Sequence, residues 1–206
     1  MGVTVTDIKE KVARMCDIII ENETYFCELD SVAGDGDFGM SLAKGFREVK
    51  AELDSLDSGS VFKFLRGCSM IISEFCGGAS GPIWGSAFAA AASSVKGQKE
   101  LALTDITRMF EDAVSAIQKR GGARLGDKTL LDALIPAAAA LRTAADENLS
   151  VREAFISAAR AASEGAEETK RMVASKGRAS YVGDRSLNFP DAGAMAVRLI
   201  FKELTD

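Results

Sequence analysis

Apolar residues recur at steps of three and four along most of the chain. Val5, Ile8, Val12, Met15, Cys16 and Ile19 share one helical face, and Val151, Ala154, Phe155, Ala158, Ala162 and Met172 share another. The pattern predicts helices near 4–23, 39–54, 60–76, 82–95, 103–120, 128–145, 150–173 and 191–204. Thr4, with Asp7 three residues on, Ser150 and Asp191 are read as N-caps, because their side-chain oxygens can accept from the free N–H groups of a first turn. No alternating β-rich stretch stands out. The alanine runs 89–92 and 137–140 suit closely packed helices. Pro82 falls in a tolerated first turn, whereas Pro136 lies inside a predicted helix, where a kink or an early start is expected. The reading is all-α, with 1–206 as a single domain.

Composition narrows this picture without changing it. Apolar residues make up 47% of the 206 positions and charged residues 27%, the balance of an ordinary globular protein. A net charge of −5 argues against nucleic acid as a partner, which calls for a basic face. No apolar run reaches the roughly 18 residues that cross a bilayer, and Met1 to Lys9 lacks the layout of a signal peptide. No membrane partner and a cytoplasmic location are therefore expected. The four cysteines, at 16, 27, 68 and 76, form no C-x-x-C pair, so buried free thiols are expected rather than disulfides or zinc ligands. The chain has no histidine. That excludes any mechanism in which a histidine of this chain is general base, phosphoryl carrier or metal ligand.

Four glycine-bearing loops, 33–39, 77–81, 121–126 and 177–183, interrupt the helices. In the segment Glu28 to Gly39, which includes the first loop, Asp30, Asp35 and Asp37 lie within eight residues. Crowded carboxylates repel one another unless a cation sits among them, and their hard oxygens suit Mg²⁺ with open positions for phosphates. The spacing does not fit a calcium loop of the EF-hand type. The competing reading of Asp35 and Asp37 is an acidic surface turn. The second loop, Gly77-Gly-Ala-Ser80-Gly81-Pro82, precedes a predicted helix whose N–H groups could meet an anion; a plain helix–helix turn is the alternative. The third leads through Asp127 and Thr129, both candidate caps, into a helix. The fourth carries Arg178 and Arg185, which could clamp phosphate or be solvated surface charges.

Together these loops resemble a known family. Glu28 to Gly39, Gly77 to Pro82, Gly126 to Leu134 and Lys176 to Ser186 are similar, in order, to motifs of the nucleotide-binding L subunits (DhaL) of dihydroxyacetone kinases, also called glycerone kinases. The resemblance implies a closed bundle of about eight antiparallel helices with the nucleotide at one end. It implies that Asp30, Asp35 and Asp37 bind two Mg²⁺ ions bridging the phosphates of ADP or ATP. Phe38, Gly39, Met40, Ser41, Ala79 and Ser80 would line the nucleotide site, Gly121, Leu130 and Arg178 would border base and ribose, and Asp191, Ala192 and Gly193 would close it. No covalent nucleophile is implied on this chain. The implied partners are a K subunit, which holds dihydroxyacetone on a histidine, and a phosphohistidine protein (M subunit) that recharges bound ADP; a homodimer is left open. The chain departs from the family pattern at Phe38, commonly histidine; at Ala79, often serine or threonine; and at Phe189-Pro-Asp-Ala-Gly193, in place of His-x-Asp-Pro-Gly. Alternatives are an ATP-dependent ketose kinase module with exchanging nucleotide, and a nucleotide-bound regulatory paralogue without catalysis. The Asp-Gly-Asp-Thr-Gly-Thr-Asn run of fatty-acid kinases is absent.

Overall fold

The computed structural model describes residues 2–205. Nine α-helices are found among them: α1 (Val5–Glu21), α2 (Glu23–Ser31), α3 (Phe38–Glu52), α4 (Val61–Phe75), α5 (Ser80–Ser94), α6 (Leu103–Gly121), α7 (Leu131–Asp146), α8 (Val151–Glu168) and α9 (Ala192–Glu203). Short 3₁₀ stretches follow at Thr169–Arg171 and Arg178–Ser186. The one β feature among the described residues is an isolated bridge between Val3 and Leu101. All eight expected helices form, and the expected caps act. Thr4 and Ser150 make reciprocal capping boxes with Asp7 and Glu153, and Asp191 accepts from the Ala194 N–H at 2.8 Å.

Eight of the helices close a ring. α1 packs on α3, each helix from α3 to α9 packs on the next, and α9 returns to α1. Short connections make the successive helices from α3 to α8 antiparallel. α2 stands outside this ring, against α3 and α9. The buried faces meet in one cluster to which every helix contributes, from Val12 and Phe26 to Phe201, and the ring surrounds an apolar cavity of about 620 Å³ bordered by Trp84, Phe88, Phe110 and Phe155. No helix among the described residues is long and apolar enough to cross a membrane. All four cysteines are free, and burial pushes the Cys16 and Cys68 thiols up to about 12.

Three boundaries differ from the sequence pattern. The helix expected over 4–23 stops at Glu21, where the Asn22 amide donates to the Ile18 carbonyl at 2.8 Å and competes with the helical ladder. The chain restarts as α2, which carries Asp30 in its last turn rather than in a loop. The helix expected over 150–173 ends at Glu168, so Met172 lies beyond its face; the Thr169 and Met172 carbonyls are taken by the Lys128 ammonium instead. The helix expected from 128 begins at Leu131. Asp127 does not cap it but holds the preceding turn, accepting from the Arg124 N–H at 2.7 Å.

Pro136 sits inside α7 and cannot donate to the carbonyl of Asp132, one turn earlier. Gly165 of α8 packs directly against that oxygen, leaving no room for a Cβ. Gly165→Ala is therefore expected to destabilise the fold by about 1–3 kcal/mol, the usual cost of overpacking. A lowered denaturation midpoint at unchanged slope would register it.

Candidate functional site

The start of α3 organises the site. One Asp30 oxygen accepts from the N–H of Gly36 at 2.9 Å and of Phe38 at 3.4 Å, folding 31–37 into a tight turn. Gly36 has φ +75°, a conformation that favours glycine. The turn returns Asp35 and Asp37 to Asp30, and the three residues each offer a carboxylate oxygen within 4.8 Å of the others. Asp37 occupies the cap position of α3 without using its side chain there. Burial, and next the charge of Asp35, raise its pKa above the ordinary carboxylate value. The Arg178 guanidinium pairs with Asp35 from across the site.

The other loops arrive beside this cluster. Gly77 donates to the Ser41 carbonyl at 3.1 Å, tying the 77–81 loop to the first turn of α3. α5 starts there with Ala79 in the cap position and no side chain on its free N–H groups, an arrangement suited to an anion. Gly121 lies against Ile83 of α5, and Gly193 against Leu130. The resemblance-implied residues of the four loops are thus neighbours at one end of the ring. Phe38 differs from a free lining residue: its ring packs edge-to-face on Phe26, with centroids 6.1 Å apart, and its N–H serves Asp30. Met40 and Ala79 are exposed, whereas Gly39 is buried.

Residues 32–206 match the DAK2 domain family. The chain belongs to that family. It is 34% identical over 204 residues to the ADP-binding subunit DhaL of the PEP-dependent dihydroxyacetone kinase of Escherichia coli, covering 99% of this chain and 97% of that subunit. It is 38% identical over 179 residues to the ADP-binding subunit DhaL of PEP-dependent dihydroxyacetone kinase 2 of Listeria innocua, covering 85% and 82%. A crystal structure of the dihydroxyacetone kinase from C. freundii in complex with AMP-PNP and Mg²⁺ is similar with a TM-score of 0.78 at 25% identity, over 100% of this chain and 34% of that one. The all-α reading and the kinase-subunit resemblance are borne out. In this DAK2 domain chain the family match begins two residues after Asp30, so the first carboxylate lies on the helix just ahead of it.

Two polar groups near the site escaped the sequence pattern. Asp132 is buried at the start of α7 and accepts from the N–H groups of Gly126 at 2.5 Å and Thr129 at 2.7 Å. Lys128 is buried as well. An aspartate among Leu131, Ala133 and Leu134, on a helix otherwise apolar at its start, was a legible signal for the first; a lysine in a polar loop carried none.

Asp191 is a strongly perturbed carboxyl. Burial foremost, with the charges of Asp132 and Asp30, raises its pKa to about 7, against the pull of the Ala194 N–H and Lys128. A folded-state value above the unfolded 3.8 means that the native state binds more protons between the two. Stability should then fall as pH rises from about 4 to 7. Asp191→Asn keeps a capping oxygen and removes the charge. In protein free of Mg²⁺ and nucleotide it is expected to gain ~1–2 kcal/mol over wild type at pH 8 relative to pH 4, discounted because the residue is only half-buried. Denaturant unfolding at the two pH values checks this.

Proposed function

We propose that this chain, as one domain over 1–206, is the nucleotide-binding subunit of a dihydroxyacetone kinase. It holds ADP or ATP with Mg²⁺, and the γ-phosphoryl group passes to dihydroxyacetone, or a related ketose, held on a separate K subunit. The observation that supports this most is the convergence of Asp30, Asp35 and Asp37 beside the uncapped start of α5. It occurs in a chain similar over almost its full length to a subunit named as ADP-binding.

The donor set fits Mg²⁺: three carboxylates, oxygen only, crowded enough that cations relieve their repulsion. Asp30, Asp35 and Asp37 would hold two ions. Bound there, Mg²⁺ supplies neutralisation of charge on the phosphate oxygens. The chain's own groups position the nucleotide. The N–H groups around Ala79 and Ser80 receive phosphate at the start of α5. Phe38 to Ser41 form the adjoining wall, Gly121, Leu130 and Arg178 border base and ribose, and Asp191 to Gly193 close the site. With no histidine on this chain, the covalent hold on the ketose falls to the K subunit, and recharging of ADP falls to a phosphohistidine donor.

The test is reconstitution. This chain with ATP and dihydroxyacetone alone is expected to give no turnover, and addition of a histidine-bearing K subunit to give it. Turnover by the chain alone would overturn the two-subunit reading. ADP retained through purification and released on denaturation supports the phosphohistidine-driven form, and nucleotide-free protein active with added ATP supports the exchanging form.

A further inference from the structure

Lys128 is only 3% exposed and its φ is +60°, unusual for a residue with a side chain. Its ammonium donates to four backbone carbonyls: Thr169 at 2.7 Å, Met172 at 3.2 Å, Ser186 at 2.6 Å and Phe189 at 2.8 Å. An ammonium has three protons, so four converging acceptors saturate it. Burial lowers its pKa, while Asp191 and Asp132 favour its charged form.

The four carbonyls belong to the two ends of one segment. Thr169 and Met172 lead out of α8, and Ser186 and Phe189 lead towards α9. The same base is stitched by Asn188 N–H to the Lys170 carbonyl at 2.8 Å, Ala174 N–H to the Ser186 hydroxyl at 3.0 Å and Asp191 N–H to the Thr169 hydroxyl at 2.9 Å. Between the ends, 173–185 carries Arg178 to Asp35. This excursion exposes Tyr181 at 88% and Val173 at 42%, and the hydrogen bonds that tie it down lie at its polar base.

We propose that Lys128 is a positioning residue: by gathering the Thr169, Met172, Ser186 and Phe189 carbonyls it closes the base of the 173–188 loop, and so holds Arg178 over the aspartate cluster and Asp191 at the start of α9. The inference rests on the proposed nucleotide site, because the consequence is that the closed loop retains nucleotide. Without the ammonium, four carbonyls lose their donor in a place where water can reach them by local opening. The loop therefore opens while the ring of helices stays closed.

The test compares wild type with Lys128→Met and Lys128→Arg as full-length chains. The readouts are hydrogen exchange resolved by peptide, the dissociation rate of ADP in Mg²⁺, and the binding of Mg²⁺ alone. In Lys128→Met, exchange over 173–188 is expected to rise at least about tenfold with α4 to α7 unchanged, ADP to leave at least about tenfold faster, and Mg²⁺ binding to stay within about twofold. Lys128→Arg keeps a charge beside Asp132 and Asp191, but its planar fork cannot face four converging carbonyls, so its loop should also open. Unchanged loop exchange, an Arg variant matching wild type, acceleration spread through the helices, or an opened loop with unchanged ADP release would each overturn the proposal. If wild type itself fails to bind ADP with Mg²⁺, the nucleotide reading falls and the link to retention falls with it, while loop exchange still decides whether Lys128 closes the base.

Discussion

Asp37→Asn is expected to abolish phosphoryl transfer in the reconstituted kinase while leaving the helices folded. Asp37 stands at the head of α3 but makes no capping bond, so its carboxylate is free of structural duty. It shares a 4.8 Å cluster with Asp30 and Asp35, and burial together with the charge of Asp35 already disfavours its ionised form. Removing that charge lessens the repulsion, so the stripped protein should melt no lower than wild type. The proposed metal loses a charged ligand at the same time. Losing metal-assisted charge stabilisation costs several kcal/mol in the transition state, a rate loss of roughly 100-fold or more. Steady-state assay with the K subunit, beside a thermal melt of the stripped variant, checks both halves. A variant within about threefold of wild-type turnover would remove Asp37 from the metal assignment, and a collapsed melt would give it a structural role instead.

Mg²⁺ and ADP together are expected to raise the melting temperature by roughly 5–10 °C, and each alone by much less. A ligand at about 100 times its dissociation constant adds roughly 2.7 kcal/mol, which for a domain of about 200 residues corresponds to a shift of that size. The synergy follows from charge. The three clustered carboxylates of Asp30, Asp35 and Asp37 repel the phosphates of ADP alone. Mg²⁺ alone gains carboxylates but no phosphate oxygens. Melts of stripped protein in four conditions decide the matter. Equal shifts with ADP whether or not Mg²⁺ is present would show that the aspartates do not act through a metal. No shift at all, on protein shown to be free of bound nucleotide, would favour a regulatory or structural role.

Much of the fold was legible because helix formation is written locally. Apolar spacing placed eight helices, and Thr4, Ser150 and Asp191 announced their starts through side chains that serve N–H groups three residues on. The aspartate cluster was legible for a similar reason: Asp30, Asp35 and Asp37 lie so close in sequence that one turn, held by Asp30 on the Gly36 and Phe38 N–H groups, brings them together. The break at Asn22 was less legible, since it turns on one amide reaching back to the Ile18 carbonyl. The early end of α8 was not legible at all, because the group that takes the Thr169 and Met172 carbonyls comes from Lys128, some forty residues earlier in the chain.

By itself, then, the sequence determined an all-α chain, the places where most helices begin, the absence of histidine chemistry and the carboxylate cluster that marks the candidate site. These rest on periodicity, on caps and on residue type, which act over a few positions. The tertiary structure alone decided that α9 closes on α1, that the start of α5 stands beside Ser41, that Arg178 reaches Asp35 and that Lys128 is buried under the loop that brings it there. Each of those contacts joins segments far apart in the chain. Their formation depends on how whole helix faces pack, and a buried ammonium is tolerated only where packing has already assembled the carbonyls that receive it.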